Sequence, residues 1–139
     1  MKNASVQKKL VDLPYVIFYV QNVLTLLDFY KQAFDLSPSY THESGHFAEL
    51  VAGNVTLAFR SETMAARSLP QQFQNNRLKS PIQAFEISFH TEEVEAVYRS
   101  ALRAGAENIA PPHITPWGQN AANVRDPSGI LLEITEYPK

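Results

Sequence analysis

Pro14-Tyr15-Val16-Ile17-Phe18-Tyr19-Val20-Gln21-Asn22-Val23 changes its period halfway along. Up to Val20 it is β-branched and aromatic, the composition of a strand. Beyond it, Val23, Leu26, Leu27, Tyr30 and Phe34 are spaced as one face of a helix, with Asn22 placed to cap the start and Ser37-Pro38 to end it. The change happens again downstream. Phe85-Glu86-Ile87-Ser88-Phe89-His90 reads as a strand, Thr91 as an N-cap, and Glu92 and Glu93 as the first helical turn. Val94, Val97, Tyr98, Ala101 and Leu102 form the apolar face of that second helix, which Ala104-Gly105-Ala106 closes.

Each of these units runs on into a meander. After the first come strands over about 39–43, 47–51 and 55–60, joined by Ser44-Gly45 and Gly53-Asn54. After the second come Ile109-Ala110, a Pro111-Pro112 kink, Trp117-Gly118, a strand over 121–125 and a last strand over 130–136. Strand, helix and three strands therefore occur twice, which predicts an α+β protein of two βαβββ repeats, 13–60 and 85–137, in one domain. The 61–84 segment between them is Gln/Asn/Ser-rich with Pro70 and Pro81, and a short helix is expected over 63–67. A connection of that length is usually functional or mobile, and it is read as the linker.

Bulk properties exclude several classes. A net charge of -2 offers no field to recruit nucleic acid or an anionic membrane. The chain has no cysteine, so disulfides, thiolate chemistry and zinc–cysteine sites are ruled out. Met1 to Asp12 is polar, without the apolar run of a signal peptide, and no stretch approaches the ~20 apolar residues of a membrane span. A cytoplasmic protein is the expectation.

Arg125-Asp126-Pro127-Ser128-Gly129 suits a type I turn, and it leads into the aliphatic strand Ile130-Leu131-Leu132-Glu133-Ile134. Burying Glu133 there is costly unless it is paired, hydrogen-bonded or metal-bound, so it marks the place to look for function. Laying one repeat on the other sets Tyr15 opposite Glu86 and Ala58 opposite Glu133. Strand alternation puts Tyr15, Ile17 and Tyr19 on one face, Glu86, Ser88 and His90 on another, and Leu131, Glu133 and Thr135 on a third.

The duplicated βαβββ plan, Phe29-Tyr30 in the first helix, Trp117-Gly118 and the Asp-Pro-Ser-Gly-Ile-Leu-Leu-Glu ending together resemble the vicinal oxygen chelate superfamily of glyoxalase I, bleomycin and fosfomycin resistance proteins and extradiol dioxygenases. The resemblance covers about residues 13–137 and implies curved mixed sheets around a central cavity, commonly in a homodimer. Metal-using members carry ligands on the first and last strand of each half, commonly His at the first and third places and a carboxylate at the last. Those four places here are Tyr15, Ala58, Glu86 and Glu133. Only the last holds the expected residue type.

The expected function is binding of a small, partly aromatic or carbonyl-bearing organic molecule. Tyr15, Tyr19, Phe59 and Trp117 are the expected walls, and Glu86, Ser88, His90 and Glu133 the polar anchors. A full metal site is not expected, because two carboxylates fall short of the three or more protein ligands usual for zinc. The rival reading is a lyase, isomerase or dioxygenase in which Glu86 and Glu133 bind a divalent metal or, sharing one site, transfer a proton. His42, His46 and His113 fall in loops and are expected at the surface.

Overall fold

A computed structural model describes residues 9–138. Most of the polar segment Met1 to Asp12 therefore lies outside the described residues. β1 (Tyr15–Val20) leads into α1 (Val23–Phe34), followed by β2 (Pro38–Thr41), β3 (Phe47–Ala52) and β4 (Val55–Ser61). A short α2 (Glu62–Ser68) opens the connector. Then come β5 (Ile87–His90), α3 (Val94–Arg103), β6 (Glu107–Ile114), β7 (Asn120–Arg125) and β8 (Leu131–Thr135). The strands form two four-stranded mixed sheets, ordered β1-β4-β3-β2 and β5-β8-β7-β6. In each, the first strand runs parallel to the last and the other pairings are antiparallel. The sheets are not joined by strand pairing into a closed barrel. Among the described residues no helix is long and apolar enough to cross a membrane.

Local chemistry explains most boundaries. The Asn22 side chain accepts from the Thr25 backbone N–H at 3.1 Å, capping α1. That helix ends at Asp35, earlier than Ser37-Pro38 suggests, because Asp35 takes up a left-handed conformation (φ 57°). Thr91 does not cap α3 directly: its hydroxyl accepts from Glu93 N–H at 3.0 Å, and the helix starts only at Val94. Glu92 and Glu93 thus precede the helix, and Glu95 is the acidic residue of its first turn. Pro111 and Pro112 do not break β6. It is the last strand of its sheet, where a missing N–H is tolerated, and the pairing with β7 shifts register between Ala110 and His113 instead.

One core serves both repeats. Phe18, Val20, Leu57 and Phe59 from the first sheet, and Val124, Leu132 and Ile134 from the second, meet the inner faces of α1 and α3. Rings chain through it: Tyr30 stacks on Phe59 (5.4 Å), and Phe34 on Phe89 (4.6 Å). The halves therefore pack against each other within one chain.

The buried carboxylate of this fold is Asp126, fully shielded from solvent, whereas Glu133 is half-buried. The Tyr30 hydroxyl donates to Asp126 Oδ2 at 2.7 Å, tying α1 of one repeat to the β7–β8 turn of the other. Asp126 Oδ1 accepts from Ser128 N–H (2.8 Å), Ser128 O–H (2.7 Å) and Ile130 N–H (3.1 Å). Burial pushes the Asp126 carboxyl above its usual range, with those four donors pulling the other way. Burial, reinforced by the Asp126 charge, also holds the Tyr30 phenol well above its ordinary value, so it stays a donor.

Connector and sheet are locked at the same turn. Arg125 donates to the backbone carbonyls of Gly129 (3.0 Å), Leu78 (3.1 Å) and Arg77 (3.0 Å), while Arg77 pairs with Glu62 at 2.6 Å. Gly129 sits at φ 101°, and a Cβ there would lie 2.8 Å from the Arg77 carbonyl carbon. Replacing Tyr30 by Phe leaves Asp126 Oδ2 buried without its donor and should cost about 1–3 kcal/mol in urea unfolding. A loss within about 0.5 kcal/mol, the ordinary range for surface changes, would show that the bond is dispensable.

Candidate functional site

The outward face of the second sheet carries the acidic cluster. Ser88 pairs in register with Glu133 across β5 and β8, and Asn123 pairs with Glu133 across β7 and β8. The Ser88 hydroxyl donates to Glu133 Oε1 at 2.6 Å, the short distance of a charge-assisted bond. Asn123 Nδ2 donates to Glu86 Oε1 at 3.4 Å. Burial, and then the negative charge of Glu133, push the Glu86 carboxyl above its ordinary value. The opposite face of the same strands holds Phe89, Leu132 and Ile134 against the core.

The first sheet repeats this register. Ile17 pairs with Ala58 as Ser88 pairs with Glu133, which makes Tyr15 the counterpart of Glu86. The two repeats thus present equivalent places with very different chemistry. In the first, Ala58 is fully buried and offers no donor.

A cavity of about 630 Å³ lies at the seam where β1 and β5 face each other without pairing. Ile17, Tyr19, Phe73, Phe85, Glu86 and Ser88 are among its lining residues. The Phe73 ring meets Tyr19 edge-on at 4.9 Å, and Phe85 stacks on Phe18 at 6.0 Å. Phe73, Gln74 and Asn76 bring the connector into the wall, and residue-by-residue reading of the sequence missed them along with Phe85. The usable signal was an aromatic residue isolated in a Gln/Asn-rich segment.

The expected site residues are only partly brought together. Tyr19, Glu86 and Ser88 line the seam cavity, and Glu133 is bonded to Ser88. Tyr15 is exposed and lies outside that lining. Phe59 is not a wall. Alternation that turns Ala58 to one face of β4 turns Phe59 to the other, where it is fully buried against Tyr30 and Phe18. Trp117 is 69% exposed in the β6–β7 turn and does not line the cavity. His90 stands edge-on to Tyr137 at 5.6 Å, beside a separate hollow of about 580 Å³ that also includes Ser88.

As a donor set for a metal, the cluster has Glu86 and Glu133 as its only carboxylates. Among the described residues no group of three or more His, Asp or Glu could hold an ion. Among the described residues the cluster thus offers two carboxylate donors, where zinc usually takes three or more protein ligands.

A family model, the Glyoxalase/Bleomycin resistance protein/Dioxygenase superfamily, matches residues 12–134. Comparison with curated proteins gives no match. Several solved structures share the fold. A glyoxalase-related enzyme from Fulvimarina pelagi is 16% identical over 93% of this chain and 90% of that one, with a TM-score of 0.81. A glyoxalase/bleomycin resistance protein/dioxygenase family enzyme from Burkholderia phytofirmans PsJN is 24% identical over 91% and 98%, at 0.68. TioX from Micromonospora sp. ML1 is 18% identical over 92% and 100%, at 0.69. At these identities the likeness is one of fold.

The raised Glu86 carboxyl has a direction that can be checked. Its proton is held more readily in the folded than in the unfolded chain, so this group favours folding at low pH. That contribution fades as pH rises from the ordinary carboxylate range through the raised value. Glu133→Gln should move the Glu86 midpoint partway back down, as read by side-chain carboxyl ¹³C shifts. An unmoved midpoint would leave burial as the sole cause.

Proposed function

The chain belongs to the glyoxalase/bleomycin resistance protein/dioxygenase superfamily, and on that premise we propose that it binds a small, partly aromatic or carbonyl-bearing organic molecule in the seam cavity. The observation that carries this reading is the make-up of the lining: rings of Tyr19, Phe73 and Phe85 beside Glu86 and Ser88. Mostly apolar walls with a few converging polar groups are the usual composition of small-ligand sites. Flat ligand rings would stack on the aromatic residues, each such contact contributing about 0.5–1.5 kcal/mol beyond area burial. Glu86, whose carboxyl burial and then the Glu133 charge push above its ordinary value, would serve as a polar anchor in that wall.

Binding of this kind needs no metal, and the two-carboxylate donor set supports a metal-free site. The rival lyase, isomerase or dioxygenase has the same Glu86–Glu133 pair behind it, with no group of three His, Asp or Glu ligands among the described residues. Assembly as a homodimer in the cytoplasm belongs to the same proposal.

Titrating a panel of aryl ketones and aldehydes against isotope-labelled protein should give saturable shifts at Tyr19, Phe73, Phe85 and Ser88. Phe85→Ala should weaken the best binder roughly tenfold, the loss of one ring contact. A panel that saturates only sites elsewhere, or a Phe85→Ala protein that binds unchanged, would overturn the assignment.

A further inference from the structure

A further hollow, of about 360 Å³, lies on the first sheet away from the acidic cluster. Tyr40, His42, His46, Phe47, Arg60 and Met64 are among its lining residues, and no Asp or Glu is. The side chain of Arg60, half-buried on β4, makes no ion pair or hydrogen bond among the described residues. Its guanidinium is held instead over two rings, 5.6 Å from the centre of Phe47 and 6.0 Å from that of Tyr19. An arginine kept charged and seated by aromatic faces, without an acidic partner, has its hydrogen-bond donors available to a ligand.

The hydrogen-bond network also turns both histidines into donors. His42 Nδ1 accepts from the Ser44 backbone N–H at 3.1 Å and faces the Ser44 hydroxyl at 2.8 Å. That assigns the ring proton to Nε2. His46 Nδ1 lies 2.7 Å from the Ser61 hydroxyl, whose oxygen already accepts from Met64 N–H at 3.1 Å. Ser61 is buried, so its hydroxyl proton would be stranded unless it went to His46 Nδ1. His46 is thereby left with an Nε2–H as well. Nearby acids leave Arg60 unpaired. Glu49, cross-strand from Tyr40 and on the same face as Phe47, lies outside the lining and makes no ion pair with it. Glu62 is bound to Arg77, and Glu43, in the same β2–β3 turn as His42, is exposed and outside the lining.

We infer that this hollow is a binding site for a small organic carboxylate with an aromatic or short apolar body. Arg60 would take the carboxylate through paired N–H donors, the two His Nε2–H groups would complete its coordination, and Tyr40, Phe47 and Met64 would hold the body. Its lining shares no residue with that of the seam cavity, although Arg60 lies against the seam's Tyr19, and its ligand is an anion where the carbonyl compound proposed there is neutral.

Benzoate is a suitable probe, with benzamide as its neutral analogue. Titration followed by ¹H–¹⁵N and imidazole NMR should show saturable shifts at His42, His46 and Arg60 for benzoate, at least tenfold weaker for benzamide. Arg60→Gln should weaken benzoate about tenfold or more, the loss of a charge-assisted bond. If that variant does not fold, Met64→Trp serves instead: it fills the hollow from an exposed position and should abolish the same shifts. Equal binding of benzamide and benzoate, shifts confined to the seam cavity, no saturation, or full binding by Met64→Trp would each overturn the inference. None of these outcomes bears on Phe85→Ala, so the two sites are tested independently.

Discussion

The Tyr30–Asp126 hydrogen bond is the constraint on which the arrangement of the two repeats depends. A carboxylate fully removed from water is tolerable only if its lone pairs are occupied, and here all the partners come from two places. Three donors belong to its own turn, and the fourth belongs to the helix of the other repeat. Satisfying Asp126 therefore requires α1 and the β7–β8 turn to be in register. The aromatic chain through Phe59, Tyr30, Phe34 and Phe89 then fills the space between the sheets. Arg125 extends the lock to the connector, whose carbonyls take its donors. The turn is thus a junction of both repeats and the segment between them.

That junction positions the seam cavity. The helix-facing residues of both sheets are committed to one core, and the terminal strands β1 and β5 face each other across a gap without pairing. The gap between them is walled by whatever those strands and the pinned connector supply. Chemistry is unequally shared between the duplicated halves. Equivalent register positions hold Ala58 in one repeat and Glu133 in the other, so the acidic cluster belongs to the second sheet. The first sheet carries its own polar group at a different place, around Arg60.

How much of this was legible depends on the range of the interaction involved. The strand-to-helix changes at Val20 and His90, the Asn22 cap and the alternation placing Ser88 with Glu86 are short-range, and each can be read from a few neighbours. The pairing of Ser88 with Glu133 is not: aligning the repeats matches Ala58 with Glu133, but the register of β5 on β8 is set between residues 45 apart along the chain. Phe59 was misplaced although the same alternation argument, applied from Ala58, turns it into the core. Asp126 read as a turn former, and nothing within its turn announces a phenol 96 residues away. Thr91 failed as a helix cap because its hydroxyl could serve an earlier turn equally well.

The sequence by itself determined the duplicated α+β plan, the faces of its strands and the presence of two acidic side chains among apolar neighbours. These are properties of period and local hydrogen bonding, which act over a few residues. Tertiary structure alone decided which carboxylate is buried, that Phe73 and Phe85 rather than Phe59 and Trp117 wall the cavity, and that Arg60 has no acidic partner among the described residues. Each of those outcomes depends on what a distant segment places within a few ångströms, and burial and electrostatics respond to that distance regardless of separation along the chain.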